Sequence, residues 1–174
     1  MHAGFKRLVT LSGLGLSLLA GHVYAAQVMM SAEWAAQTCE AWNKDPSLTT
    51  GLAGKWIKND HDQGYKVIQM YRTDCENSPP VEIRVAKKYG KAICIYGGKL
   101  ETAKPDSSVD YLLHTTTQRW VEMGAGDYGP IKAVLFGRLK FSGPRMEAIG
   151  VLGPLSSFLK LIGKVPSVTT DCPE

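Results

Sequence analysis

The sequence lacks several signatures that would settle its chemistry quickly. It contains no C-x-x-C pair, which removes the ligand spacing of a zinc ribbon and the redox site of a thioredoxin. It contains no G-x-S-x-G, and no cysteine and histidine share a recognisable nucleophile context. Charge excess is small: the 174-residue chain carries a formal +4, which falls to +2 without Lys6 and Arg7. That balance gives no case for a nucleic-acid partner. The uncharged apolar run at residues 8–20 stops short of the roughly 20 residues that span a bilayer. Asp60-His61-Asp62, followed by Gly64, resembles a calcium loop faintly, but Tyr71 stands where that loop needs a terminal glutamate. A solvated turn is the better reading, and neither a metal nor a cofactor is expected. No internal repeat or low-complexity segment stands out.

What is present begins with an export pattern. Lys6 and Arg7 precede the apolar run, and Val23-Tyr24-Ala25 offers small residues at the −3 and −1 positions of a cleavage site. Residues 1–25 therefore read as a secretory signal peptide, and the mature protein is expected in the periplasm or outside the cell. Export changes the reading of Cys39, Cys75, Cys94 and Cys172, an even number bound for an oxidising compartment. Four cysteines allow three pairings. Cys39, Cys75 and Cys172 lie near element ends and are the disulfide candidates. Cys94, inside Ile93-Cys94-Ile95, fits a small buried apolar side chain and is expected to be the free one.

Periodicity then orders the chain. Ser31 can cap a helix over 32–43, with Ala35, Cys39 and Trp42 as its stripe. Leu48 and Leu52 hint at one more turn. Strands follow at 65–75, 81–85, 92–96 and 111–115, the second alternating cleanly between apolar and charged residues. Thr116 or Thr117 can cap a helix carrying Trp120 and Met123. Gly124, Gly126 and Gly129 loosen the backbone into a loop. Pro130 starts a short helix whose apolar face is Ile131, Val134 and Leu135. Gly137 stops it, and 138–141 alternates as a fifth strand. Two apolar helical pieces follow up to Ile162, interrupted at Gly153-Pro154 and stopped by Gly163. Grouped rather than alternating strands predict an α+β fold with a mostly antiparallel sheet.

The stretch from Pro130 to Gly143 carries a resemblance. Pro-x-x-Ala, a glycine, then G-[KR]-L-x-[FIV]-x-G and a terminal apolar helix form a pattern met here by Pro130, Ala133, Gly137, Arg138, Leu139, Phe141 and Gly143. In this the chain resembles the sterol carrier protein type 2 family of lipid-transfer domains, clearly over residues 110–162 and more loosely back to Tyr65. The resemblance implies a five-stranded sheet covered on one face by helices, with an apolar tunnel between them. It assigns 65–174 to the lipid-binding domain and leaves 26–64 as an N-terminal helical elaboration. It also implies binding of sterols, fatty acids or other lipids, without catalytic residues.

Candidate wall residues, chosen by helix face and by position in that pattern, are Trp120, Met123, Ile131, Leu135, Met146, Ile149, Phe158 and Ile162. The expected function is non-enzymatic binding and transfer of a hydrophobic small molecule, with transient membrane contact and no nucleic-acid partner. A lipid-modifying or ester-hydrolysing accessory enzyme and a ligand-free module of the cell envelope are the alternatives. Gly124 to Gly129 also matches G-x-G-x-x-G, but a dinucleotide site needs a strand before it and a long helix after it. His114, beside Leu113 on a strand, reads as structural.

Overall fold

The computed structural model describes residues 26–174. The expected signal peptide, 1–25, lies outside them. In chain order the elements are β1 (Gln27–Val28), α1 (Ala32–Asn43), α2 (Pro46–Thr49), α3 (Lys55–Lys58), β2 (Lys66–Arg72), β3 (Val81–Lys88), β4 (Lys91–Lys99), β5 (Tyr111–Thr115), α4 (Thr117–Ala125), α5 (Pro130–Leu135), β6 (Lys140–Ser142), α6 (Arg145–Ile149), α7 (Leu152–Lys164) and β7 (Ser167–Val168).

The fold is α+β. Five strands form one sheet in the order β4-β3-β2-β5-β6, antiparallel except where β2 and β5 run parallel. β2 is central, and six of its seven residues are buried because both sheet faces are covered. Helices cover one face: Trp34, Trp42, Phe158 and Leu159 share a core with Ile68, Met70, Ile83, Val85 and Leu113. On the other face the loop after β4 folds over Gln69 and Glu82. There Gln69 Nε2 donates to the Thr102 carbonyl (2.7 Å) and the Thr102 N–H donates to Glu82 (2.9 Å). β1 and β7 form a separate parallel pair.

Local chemistry explains the helix starts. The Ser31 hydroxyl accepts from the Trp34 N–H (3.2 Å), and Glu33 sits in the first turn where the helix dipole favours a negative charge. Thr116 caps α4 in the same way, and Gly126 closes it in the left-handed conformation at φ 84°. Gly124 is not part of a loop. It is helical and lies against Gly163, which does not end α7 but meets α4 there: a Cβ on Gly124 would stand 2.6 Å from the Gly163 Cα. Nor do Gly153 and Pro154 interrupt the last helix. They occupy its first turn, where a proline costs no hydrogen bond, and the break falls at Gly150 and Val151.

All four cysteines pair, Cys39 with Cys94 and Cys75 with Cys172. This corrects the expectation that Cys94 stays free. Cys94 is buried on the same strand face as Ala92, and that face lies under Cys39 of α1; the bulge opposite Arg84 and Val85 falls after it, at the exposed Ile95. Gly97 then lets α1 lie directly on the strand, since a Cβ there would be 2.8 Å from that of Cys39. The Asn43 side chain fastens the end of α1 to the Cys94 backbone through two 2.8 Å hydrogen bonds. Alternation along the strand shows that Cys94 faces inward but not which residue of another element it meets there.

Candidate functional site

α5, β6, α6 and the start of α7 enclose an open groove of about 680 Å³. Its walls are apolar: Ile131, Val134 and Leu135 from α5, Leu139 and Phe141 around β6, Ala148 and Ile149 from α6, and Leu152 and Leu155 from α7. Ala133 is buried inward, while the buried Pro130 borders the groove beside the exposed Ile131, Val134 and Leu135. The Leu139 N–H donates to the Ala133 carbonyl (2.9 Å), so the chain doubles back and presents β6 beside α5. Lys140 and Arg145 also line the groove and are the cations on its wall. The volume falls within the range of about 300–1,000 Å³ that holds small organic ligands.

Behind Ala148 and Leu155, which border both spaces, lies an inner cavity of about 30 Å³. Trp42, Trp56, Tyr111 and Phe158 give it aromatic walls. Phe158 meets Trp42 edge-on at 5.7 Å, and Trp56 stacks on Tyr111 at 5.9 Å.

A buried polar cluster adjoins this cavity. Lys66 Nζ donates to Glu147 Oε1 (2.6 Å) and to the Asn59 carbonyl (2.9 Å), and lies 5.0 Å above the Trp56 ring. The Tyr111 hydroxyl donates to Glu147, and Trp56 Nε1 donates to Tyr111 (2.9 Å). Asn59 Nδ2 donates to the other Glu147 oxygen (2.8 Å). Burial lowers the Lys66 ammonium below its ordinary value against the opposing pull of Glu147. Burial, then the hydrogen bond to Glu147 and its charge, pushes the Tyr111 phenol well up. The cluster is closed on itself, every polar group answering another. It fastens α6, one wall of the groove, to β2.

The sequence-selected residues fall into separate places. Ile131, Leu135 and Ile149 line the groove. Phe158 lines the inner cavity. Trp120, Met123 and Ile162 are buried in the core, and Trp120 Nε1 donates to the Tyr71 carbonyl (3.2 Å). Met146 is 79% exposed beside the groove rather than in its wall. Lys66, Tyr111, Lys140, Arg145 and Glu147 were not singled out by sequence, where charged or aromatic residues on separate elements carry no mark of their meeting.

The remaining motifs resolve plainly. His61 Nδ1 stands 3.0 Å from Asp106 in an exposed turn, with His61 and Asp62 both at positive φ. Among the described residues no group of three or more His, Cys, Asp or Glu is placed to hold a metal ion. His114 stacks on Tyr71 at 4.6 Å, and burial, with Lys140 nearby, lowers its pKa. Gly124 to Gly129 closes a helix rather than joining a strand to one, so it does not form a nucleotide loop.

No protein-family profile matches the chain, and no curated protein matches it in sequence. Solved structures do match. A crystal structure of sterol carrier protein 2 superposes with a TM-score of 0.55 at 14% identity, over 79% of this chain and 98% of that one. A conserved protein of Thermus thermophilus, described as a possible sterol carrier protein, gives a TM-score of 0.50 at 15% identity, over 82% of this chain and 94% of its own. A likeness at that identity is one of architecture: the chain has the fold of sterol carrier protein 2.

Proposed function

We propose that this chain is an exported, non-enzymatic carrier of a hydrophobic small molecule, a sterol, a fatty acid or another lipid. The observation that carries the reading is the open groove of about 680 Å³ with its nearly all-apolar wall. Moving an apolar ligand from water into such a groove is favourable by about 0.8 kcal/mol per buried methylene. The few polar groups on the wall suit orienting a head rather than breaking a bond. The neighbours' name supports the same reading, since carriage is what sterol carrier protein 2 is named for. Two disulfides support an oxidising compartment, the periplasm or the exterior. No helix of the described residues is long and apolar enough to cross a membrane.

The test is direct. Protein recovered from its exported fraction is weighed by native mass spectrometry, then stripped of lipid and titrated with a fluorescent sterol and a fluorescent fatty acid. A copurified lipid, or saturable binding of either probe that Leu135→Asp abolishes, supports carriage. A folded protein that holds no lipid and binds neither probe overturns it. Turnover of the bound lipid would favour the accessory-enzyme reading instead.

A further inference from the structure

Ten large apolar side chains of the described residues are exposed, and six of them lie between 131 and 149: Ile131, Val134, Leu135, Phe136, Met146 and Ile149. Four line the groove. Phe136 and Met146 do not, although they are 70% and 79% exposed beside it. A ligand-binding wall accounts for the four, but leaves these two in water with no ligand to cover them. Clustered exposed apolar side chains mark a surface that meets something else.

The charge around them is one-sided. Residues 128–151 contain four cations, Lys132, Arg138, Lys140 and Arg145, of which only Arg138 is half-buried, with its guanidinium over the Tyr128 ring. Their single carboxylate, Glu147, is turned inward to Lys66. The rest of the chain beyond residue 25 carries fourteen Lys and Arg against fifteen Asp and Glu. The positive charge of the described residues is thus concentrated at the groove.

We infer that this mouth of the groove, formed by α5, Phe136 and α6, is a docking surface for an anionic lipid bilayer. The inference rests on the carrier reading and names its partner. Cations flanking an exposed apolar patch place the charges at the headgroups and the apolar side chains at the acyl boundary. A second copy of the chain is the poorer occupant. A two-fold interface would press this net-positive patch against an identical one, with no outward carboxylate of the patch to answer its cations. Docked on a bilayer, the groove opens toward the acyl layer, and cargo enters without crossing water.

Vesicle flotation of the mature chain tests this, with phosphatidylcholine vesicles compared against vesicles containing phosphatidylglycerol. Binding to the anionic vesicles should be roughly tenfold or more the stronger, given a gain at each cation near a charged surface, and should fall with added salt. Phe136→Ser with Met146→Ser should weaken vesicle binding, while vesicle-free binding of a fluorescent fatty acid stays at the wild-type value. Lys132→Gln, an exposed change outside the groove wall, should weaken binding to the anionic vesicles alone, and it serves independently should the double variant not fold. Equal binding to both vesicle types, or no vesicle binding with dimers forming instead, overturns the proposal. Vesicle binding by a protein that takes up no fatty acid or sterol probe would defeat the carrier reading and leave the docking surface standing.

Discussion

Lys66 places its ammonium 2.6 Å from the carboxylate of Glu147, and no part of the lysine side chain reaches water. One residue belongs to the central strand and the other to the short helix that walls the groove. Breaking such a pair on one side strands a charge. Glu147→Leu should therefore destabilise the fold by about 3–5 kcal/mol. Lys66→Met added to it should restore much of that loss, because the desolvation cost vanishes with the second charge. Full restoration is not expected, since the Tyr111 hydroxyl and the Asn59 carbonyl also lose their partner. Urea unfolding of the two single variants and the double variant measures the coupling. A double variant no more stable than Glu147→Leu would refute the account.

Gly124 and Gly163 offer a second test of packing. Each Cβ would fall within 2.6 Å of the other glycine's backbone, which cannot rotate away as a side chain could. Gly124→Ala must push α4 from α7, at about 1–3 kcal/mol or more. Gly153, also in α7, has no atom of another element within 4 Å of the place an alanine methyl would take, but it precedes Pro154, whose ring crowds a Cβ on a helical neighbour. Gly153→Ala should therefore gain none of the usual stabilisation of a glycine-to-alanine change, yet cost less than Gly124→Ala because no second element has to move. Thermal melts should fall further for Gly124→Ala than for Gly153→Ala.

Acid sensitivity should trace to Glu82. Burial alone would raise its pKa, but hydrogen bonds from the Thr102 N–H, Arg84, the Thr102 hydroxyl and Gln69 outweigh that and hold it below the ordinary value. A carboxylate depressed in the folded state stabilises fully above its unfolded pKa of about 4.3, and the contribution is lost as pH falls through the lower folded value. Melting temperature should thus drop below about pH 4.3. Glu82→Gln should start lower at pH 7 and fall less steeply on acidification. Parallel curves for the two proteins would exclude Glu82 as a source of the acid sensitivity.

The disulfides predict a thiol count. Protein from the exported fraction, denatured without reductant, should show no free thiol. Cys75–Cys172 closes a separation of 97 residues and holds the tail that Arg72 also binds, through the Asp171 (2.7 Å) and Thr169 (2.8 Å) carbonyls. Replacing both cysteines by serine should cost about 2–4 kcal/mol. Any stoichiometric free thiol at Cys94 would restore the reading that the strand pattern first suggested.

That pattern shows where sequence reasoning reaches its limit. The Ser31 cap, the alternation of Val81 to Val85 and the Pro130 helix were legible because each is written in a few adjacent residues. The α5 face of the groove was legible for the same reason, as Ile131, Val134 and Leu135 form one stripe. Of the opposite wall only Ile149 was. Ala148, Leu152 and Leu155 sit on either side of a break at Gly150 that looked, from Gly153-Pro154, to lie three residues later. Two-residue strands such as β1 and β7 carry no period at all. The Lys66–Glu147 pair joins residues 81 apart, and only the folded chain shows that both leave water.

Ala148 and Leu155 stand between the groove and the inner cavity, so they should set how far an apolar chain can reach. The inner space of about 30 Å³ is little more than a water-sized void, and its aromatic walls give water few partners there. Leu155→Ala would merge the two spaces. Because Leu155 already faces open volume, the loss of stability should fall below the about 2–5 kcal/mol typical of a buried leucine. Each further methylene admitted is worth about 0.8 kcal/mol, close to fourfold in affinity. The variant should therefore favour longer fatty acids over the wild type, while Ala148→Leu should close the passage and favour shorter ones. Phe158→Ala should act as Leu155→Ala does, at a greater cost because the Trp42 contact goes as well. Displacement of a fluorescent fatty acid by a graded series of chain lengths, with a melt of each variant, reads both effects. Chain-length profiles that stay superimposed on the wild type in folded variants would show that ligand stops at the groove and that Phe158 is core alone.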